Sequence, residues 1–461
     1  MKIVVFGAGP MTGEPSHAVM APGARTWQMA ATAAGALSRL WPDKGRVVVC
    51  GLEAHAREEP PGGIEFRAGG QPLRVVPADS RDPVGGCFIE YHPFDYETYV
   101  RLPESGHAAL SGDFAAVIGC ASAQPCATAA AFAAARRLPL WIDVFGDPLA
   151  EVQTKAQLEP DKSADNDMRT THVWKLMLPS LLQGDAFSAL SARQRLALIG
   201  QLGCAGRLNR QTAGCDMVAT IPFGLMPCDA PEIPPAGGAR RGQVTLMWCG
   251  SFNTWMDVDT LVGGIVEAFR VEERLRLLVV GGRIAGYNEA SYEQFAEAIE
   301  GAGISARVRM HDWVPLGELQ RLYAACDAGL SIDRPSYEAW LGSRTRLVHF
   351  LAAGKPVIST VCTELSEDLA ARGFLLPFRM GDAADLARVL VDVAARAAEL
   401  SDLGRRGREF VLEHYNTETL GAPLAAWLAN PVFAADKQPD GSHQPDNPLT
   451  SFWADALAAL R

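Results

Sequence analysis

Gly342-Ser343-Arg344-Thr345-Arg346-Leu347-Val348-His349-Phe350-Leu351-Ala352-Ala353-Gly354-Lys355-Pro356-Val357-Ile358-Ser359-Thr360 is the stretch whose reading decides the fold. Leu347, Val348, Phe350 and Leu351 recur at helical spacing, Gly354 ends the helix, and residues 356–360 are a short run of strand character. Residues 328–332 form a second apolar run upstream. Strand, helix 345–353, strand is the repeating unit of a parallel sheet, because parallel neighbours need a crossover connection.

The alternation extends in both directions. Upstream it predicts strands 244–249, 276–280 and 307–310 and helices 258–269, 292–300 and 316–326; downstream it predicts helices 382–400 and 405–413. The first half repeats it with strands 3–6, 47–50, 116–118, 140–144 and 217–221 and helices such as 26–40 and 126–135. Between them, Pro227, Pro231, Pro234, Pro235, Gly237, Gly238 and Gly242 exclude a helix or a central strand. We therefore divide the chain into a Rossmann-like domain at 1–221, a linker at 222–243 and a second Rossmann-like domain at 244–415. A crossover helix at 416–430 returns to the first, and a tail at 431–461 ends in an amphipathic segment carrying Phe452, Trp453, Leu457 and Leu460. Two doubly wound domains place the carboxyl ends of both sheets around one cleft, where ligands of open α/β sheets bind.

Composition sets limits. The chain has 461 residues, is 48% hydrophobic and carries a formal charge of −11, so it offers no overall attraction for nucleic acid. Ten cysteines lie scattered, without a C-x-x-C pair, and read as free thiols. The nine histidines are too dispersed to propose a metal. The start reads as a strand rather than a signal peptide, and the expected compartment is the cytoplasm. No transmembrane segment is expected, which leaves at most a peripheral membrane contact through the terminal segment.

The residues that carry chemistry cluster in loops. Arg344 and Arg346 stand where helix 345–353 begins; free N–H groups, a partial positive charge and two guanidinium groups together suit a diphosphate, and Ser343 is placed to cap that helix. Gly7-Ala8-Gly9-Pro10-Met11-Thr12-Gly13 follows the first strand and imitates a dinucleotide loop imperfectly, since a third glycine is needed where Thr12 stands. A nicotinamide or flavin oxidoreductase is therefore a minor alternative. Asp143 and Asp147 border strand 140–144, and each reads either as a cleft-facing carboxylate or, for Asp147, as a cap beside Pro148.

Several of these segments, in order, resemble the glycosyl transferases group 1 domain of GT-B enzymes. They are Asp327-Ala-Gly-Leu-Ser-Ile-Asp followed by Arg346 to Thr360, Cys249-Gly250-Ser251-Phe252-Asn253, Val279-Val280-Gly281-Gly282 and His311-Asp312-Trp313-Val314-Pro315. Pro22-Gly23-Ala24-Arg25-Thr26-Trp27 is similar to the acceptor-side segment of the same enzymes.

The resemblance implies an α/β GT-B fold and a retaining, hexosyltransferase-type enzyme. It would move a sugar from a nucleotide-diphosphate donor to a small-molecule, glycan or lipid-linked acceptor, with no tightly bound cofactor and no metal. On that model Arg344, Arg346, Glu338, Asp143 and Asp147 are the catalytic candidates. Gly250, Ser251, Asn253, Gly282, Trp313, Ser343, Thr345 and His349 are the donor-binding candidates. Gly9, Thr12, His17, Gly23 and Arg25 belong to the acceptor-side loop.

One departure stands out. Relatives carry two glutamates eight residues apart, where this chain has Leu341 and His349, so Glu338 is the nearby carboxylate left to reach the donor sugar. A sugar-nucleotide epimerase, or a nucleotide-sugar-binding protein without transfer activity, is the alternative that this departure keeps open.

Overall fold

The structure is a computed structural model describing residues 1–9, 20–41, 45–53, 64–68, 71–77, 88–225, 242–283, 288–444, 452, 453, 455 and 456. Among the described residues fifteen strands form two sheets. The first holds β1 (Lys2–Ala8), β2 (Arg46–Leu52), β3 (Ile64–Ala68), β4 (Gln71–Pro77), β5 (Phe88–Phe94), β6 (Ala116–Gly119), β7 (Leu140–Val144), β8 (Ala186–Ala189) and β9 (Val218–Thr220). The second holds β10 (Val244–Cys249), β11 (Leu275–Val280), β12 (Val308–His311), β13 (Ala328–Ser331), β14 (Val357–Ser359) and β15 (Leu375–Pro377).

The spatial orders are β3-β4-β5-β2-β1-β6-β7-β8-β9 and β12-β11-β10-β13-β14-β15. Every pairing is parallel except β3 with β4. The chain winds outward in opposite directions from β1 and from β10. The switch points therefore lie at the ends of β1 and β6 and of β10 and β13, where loops part and leave a crevice.

Central strands are buried on both faces, which is why Ile3, Val4, Val5 and Phe6 can run consecutively apolar. One face of the first sheet packs on helix Ala21–Leu40, whose Trp27, Ala30 and Ala34 meet Val5 and Val49. Leu424 and Leu428 of helix Ala422–Ala429 join that same cluster, so the end of the chain covers the first sheet. The second sheet packs on helices Val258–Val271 and Ala383–His414.

Several expectations are corrected. The first helix begins at Ala21 rather than 26, since Pro22 occupies a first-turn position where its missing N–H costs nothing. Gly23 and Arg25 are therefore helical and buried rather than in a loop. The helices expected at 382–400 and 405–413 are one, Ala383–His414, kinked at Arg396. Strands β3, β4 and β5 extend the first sheet beyond the expected set.

Most of the region 222–243 lies outside the described residues. On its near side, the Leu225 N–H donates to the Tyr415 carbonyl at 2.7 Å, so the chain's outward and return passages between the sheets lie side by side. The segment after residue 430 is pinned to the first sheet by Arg207, both of whose arms grip Asp436 at 2.7 and 2.9 Å, and by Lys437 on Asp185 at 2.8 Å. Trp453 Nε1 donates to the Cys204 carbonyl at 2.7 Å. Leu457 and Leu460 lie outside the described residues.

Candidate functional site

The two switch points meet at a cleft of about 1170 Å³. Its second-sheet wall begins at the end of β10, where Gly250 has φ +112°, and continues at the end of β11, where Gly281 has φ +97°. A side chain at Gly281 would put its Cβ 2.6 Å from the Gly250 carbonyl oxygen, so glycine is required for the two turns to nest. Ser251 and Asn253 line the cleft beside Gly250. Trp313 lines it farther out, its Nε1 donating to the Arg283 carbonyl at 3.1 Å. Gly282 does not line the cleft; it packs against Tyr292, and its carbonyl accepts the Phe252 N–H.

Helix Thr345–Ala352 points its N-terminus at this wall, and Ser343, Thr345 and His349 all line the cleft. Ser343 is not the cap: Arg344 holds that position, and no side chain caps the helix, whose Leu347 N–H turns back to the Arg344 carbonyl at 3.0 Å. His349 reaches across to the first half, its ring edge-on to Phe223 at 5.7 Å.

The two arginines have separated tasks. Arg344 Nε donates to Asp333 Oδ1 at 2.7 Å, and its two terminal nitrogens donate to Glu338 Oε1 at 2.9 Å and Oε2 at 2.7 Å. Against the lowering effect of burial, the two carboxylates push Arg344 above its ordinary value. Glu338 is thereby committed to Arg344, which corrects the expectation of a free carboxylate for the donor sugar.

Arg346 has no such partner. Its guanidinium lies 3.8 Å over the Trp248 ring, and its Nη1 is buried without a hydrogen-bond acceptor among the described residues. Burial pulls its pKa below the ordinary guanidinium value, a shift that the nearby Asp333 only partly opposes. The buried Nη1 of this cation stands beside the glycine turn of β10 and a helix N-terminus, a grouping of donors whose chemistry suits an anion.

On the opposite wall the expectation of a cleft-facing carboxylate is corrected for Asp143, and of the two readings of Asp147 the helix cap is the one observed. Asp143 is fully buried behind the wall, accepting from Arg25 Nε at 2.8 Å, Arg25 Nη2 at 2.7 Å and Ser188 Oγ at 2.6 Å. Arg25 also donates to the carbonyls of Ile221 and Pro222, so the pair ties the first helix to β7 and to the end of β9. Asp147 caps helix Pro148–Leu158, accepting from the N–H groups of Leu149 and Ala150, and holds Gln201 through its other oxygen. Gly9 packs beneath Tyr91 and Glu53. Thr12 and His17 lie outside the described residues.

Glu151 is a cleft residue that the sequence reading did not single out. It stands in the first turn of helix Pro148–Leu158 and lines the cleft, and its carboxyl has no hydrogen-bond partner among the described residues. Burial, then Glu338 and Asp147, push its carboxyl up to about 8, while Arg344 opposes them. Among the described residues no cluster of His, Cys, Asp and Glu could hold a metal ion, and no helix is long and apolar enough to cross a membrane.

Residues 243–396 match the family model described as Glycosyl transferases group 1. No curated protein sequence matches the chain. Among solved structures, sucrose-phosphate synthase from Thermosynechococcus elongatus is similar at a TM-score of 0.60 and 16% identity, over 92% of this chain and 97% of its own. Anabaena HepE in complex with UDP and glucose is similar at 0.55 and 12%, over 93% and 99%. The trehalose-6-phosphate structure from E. coli bound with UDP-2-fluoro glucose is similar at 0.57 and 11%, over 94% and 100%. At such identities the likeness establishes the architecture, two Rossmann-like units facing across a cleft in the GT-B arrangement.

Proposed function

Because the chain carries a group 1 glycosyltransferase domain at residues 243–396 within a GT-B fold, we propose that it transfers a sugar from a nucleoside-diphosphate donor held by the second half to an acceptor held by the first, with retention of configuration. The observation that carries this reading is Arg346, a half-buried residue whose buried Nη1 has no acceptor among the described residues, beside a helix N-terminus with no side-chain cap.

Breaking the bond between the sugar and the diphosphate leaves negative charge on the leaving oxygens. Arg346 and the N–H groups at Thr345 stand where that charge would develop, and a preorganised donor there stabilises the transition state more than the ground state. Arg344 acts one step back. Fixed by Asp333 and Glu338, it holds the loop 333–344 against the sheet and so sets the angle at which the helix meets the phosphates. Gly250 and Gly281 let the backbone approach the diphosphate, Ser251 and Asn253 add polar groups, and Trp313 stands where a base would stack.

Closure of the cleft has a physical latch in this reading. Glu364 of the second half accepts both backbone N–H groups of Ala192 and Arg193, each at 3.0 Å, at the start of helix Ala192–Cys204 in the first. Such a contact would hold the two halves together while the donor is activated.

UDP is the first donor nucleotide to test, since two of the similar structures hold UDP or a UDP-sugar. Calorimetric titration of UDP, ADP, GDP and their glucose conjugates is expected to give micromolar binding by one nucleotide series. Arg346→Ala should weaken that binding by about 100-fold, the scale for loss of a buried charge-assisted donor. Binding that survives Arg346→Ala unchanged, or no binding in a protein with a cooperative melt, would overturn the assignment. The anomeric configuration of the product, read by NMR, tests retention.

A further inference from the structure

The cleft exceeds the roughly 300–1,000 Å³ usual for a single small-molecule site, leaving room for a donor and a second small molecule. The polar groups are distributed unevenly between its two walls. The second-half wall presents arginines, serines, asparagine, glutamine and histidine. The described part of the first-half wall is built mainly from apolar side chains such as Met20, Pro22, Phe145, Val152 and Leu190, with Ser122 among them. Among the described residues that wall carries no lysine, arginine or histidine, and Glu151 is its one ionisable side chain.

This asymmetry follows from the ion pairs behind it. Arg25 and Asp143 neutralise each other beneath the surface, and Asp147 is consumed as a cap, so neither carboxylate reaches the cleft. A free sugar needs many directed hydrogen bonds to replace its water, and an acceptor bearing phosphate or carboxylate needs a counter-charge. Among the described residues the wall offers only Ser122 and Glu151 as polar side chains, too few for a free sugar, and no basic side chain for an anion.

Resting on the glycosyltransferase reading, we propose that the acceptor is an uncharged apolar alcohol of small-molecule size, its hydrocarbon body against Phe145, Val152 and Leu190 and its hydroxyl held by Glu151. Glu151 stands on the first turn of its helix with Gly146, at φ +83°, beside it; a Cβ at Gly146 would come within 2.6 Å of Glu151 Oε1, so the glycine is what lets the carboxyl turn inward. The carboxyl positions the hydroxyl by hydrogen bonding. The acceptor oxygen then bonds to the anomeric carbon as the bond from that carbon to the phosphate oxygen breaks. The electron pair leaves with the nucleoside diphosphate, and the hydroxyl proton passes to that leaving oxygen.

The test is equilibrium binding to the full chain saturated with the nucleoside diphosphate it binds, with 2-naphthol and decanol as apolar probes and maltose and glucose 6-phosphate as polar ones. The proposal expects the apolar alcohols to bind at least ten times more tightly than either sugar. It also expects Val152→Asp to weaken them about tenfold while leaving nucleotide affinity unchanged, which also reports that the variant is folded. Glu151→Gln, which keeps a hydrogen-bonding neutral group, should bind 2-naphthol within threefold of the parent, and Glu151→Leu should lose more than that. Preference for maltose or the sugar phosphate, or insensitivity of the alcohols to Val152→Asp, overturns this proposal while the donor reading stands. Absence of nucleotide binding overturns both.

Discussion

The two halves of the molecule both bury arginines and treat them in opposite ways. In the first half, Arg25 and Arg207 are fully buried, and each is saturated by a carboxylate and several carbonyls. In the second, Arg344 is likewise paired, but Arg346, two residues on, stacks on Trp248 and leaves Nη1 without an acceptor. A buried charge with its partner inside the protein is architecture, because removing either member strands the other. A donor atom buried without an acceptor carries a cost in stability, which on the proposed function a bound phosphate would offset.

The sharpest way to break this comparison is Asp143→Ala. It strands Arg25 at zero exposure and is expected to cost about 3–5 kcal/mol in urea denaturation. A loss below about 1 kcal/mol would mean the pair is dispensable and the contrast false.

Next is Arg346→Met, which retains bulk against Trp248 and removes the charge. Nucleotide affinity should fall about 100-fold, equivalent to about 2.7 kcal/mol, while the melting temperature without ligand stays level or rises. A melting temperature lowered by several degrees would place Arg346 with the structural arginines instead.

Glu151 gives a smaller effect with a definite sign. Its carboxyl, faced by Glu338, Asp147 and Arg344, is raised from 4.5 to about 8, so between those values the folded protein holds a proton that the unfolded chain releases. Stability contributed by that proton is present at low pH and lost as pH rises through the interval. Glu151→Gln abolishes the loss. Its melting temperature should match the parent near pH 5 and exceed it by a few degrees near pH 9; equal curves across the range would refute the raised carboxyl. Smallest of all, Glu367→Ala removes an ion pair with Arg193 that is about 40% exposed on both sides, and should change stability by no more than about 0.5 kcal/mol.

Much of the second half is legible in the sequence because its central strands β10 and β11 are dominated by apolar residues, with one polar residue each, Thr245 and Arg276. The run at 244–249 is observed as Val244–Cys249, and the helix read at 345–353 as Thr345–Ala352. The first half conceals β3 to β5 because they mix polarity: β4 includes Pro72 and Arg74, and β5 includes Glu90, His92 and Pro93. Such strands earn no apolar signal, and their pairing is set by neighbours far away in the chain.

The site shows the same division. Positions could be read, since Arg344, Arg346 and Glu338 fall in one segment. Pairings could not, because whether Asp333 and Glu338 turn back onto Arg344 is decided by how the intervening loop closes. Glu151 had a faint signal, an acidic residue in a helix's first turn just beyond a strand's carboxyl end, and that signal is ordinarily a favourable interaction with the helix dipole.

The grip of Arg207 on Asp436 also governs the order in which this chain can be finished as it is made. Arg207 sits at the heart of the first half, but its counter-ion is encoded 229 residues later. At a synthesis rate of about 5–20 residues per second, that interval is on the order of 10–50 s during which a buried guanidinium lacks its carboxylate. The nascent first half must spend that time incompletely closed. Ribosome-stalled chains ending before Asp436 are accordingly expected to be cut by protease near Arg207, and chains extending well beyond it to resist.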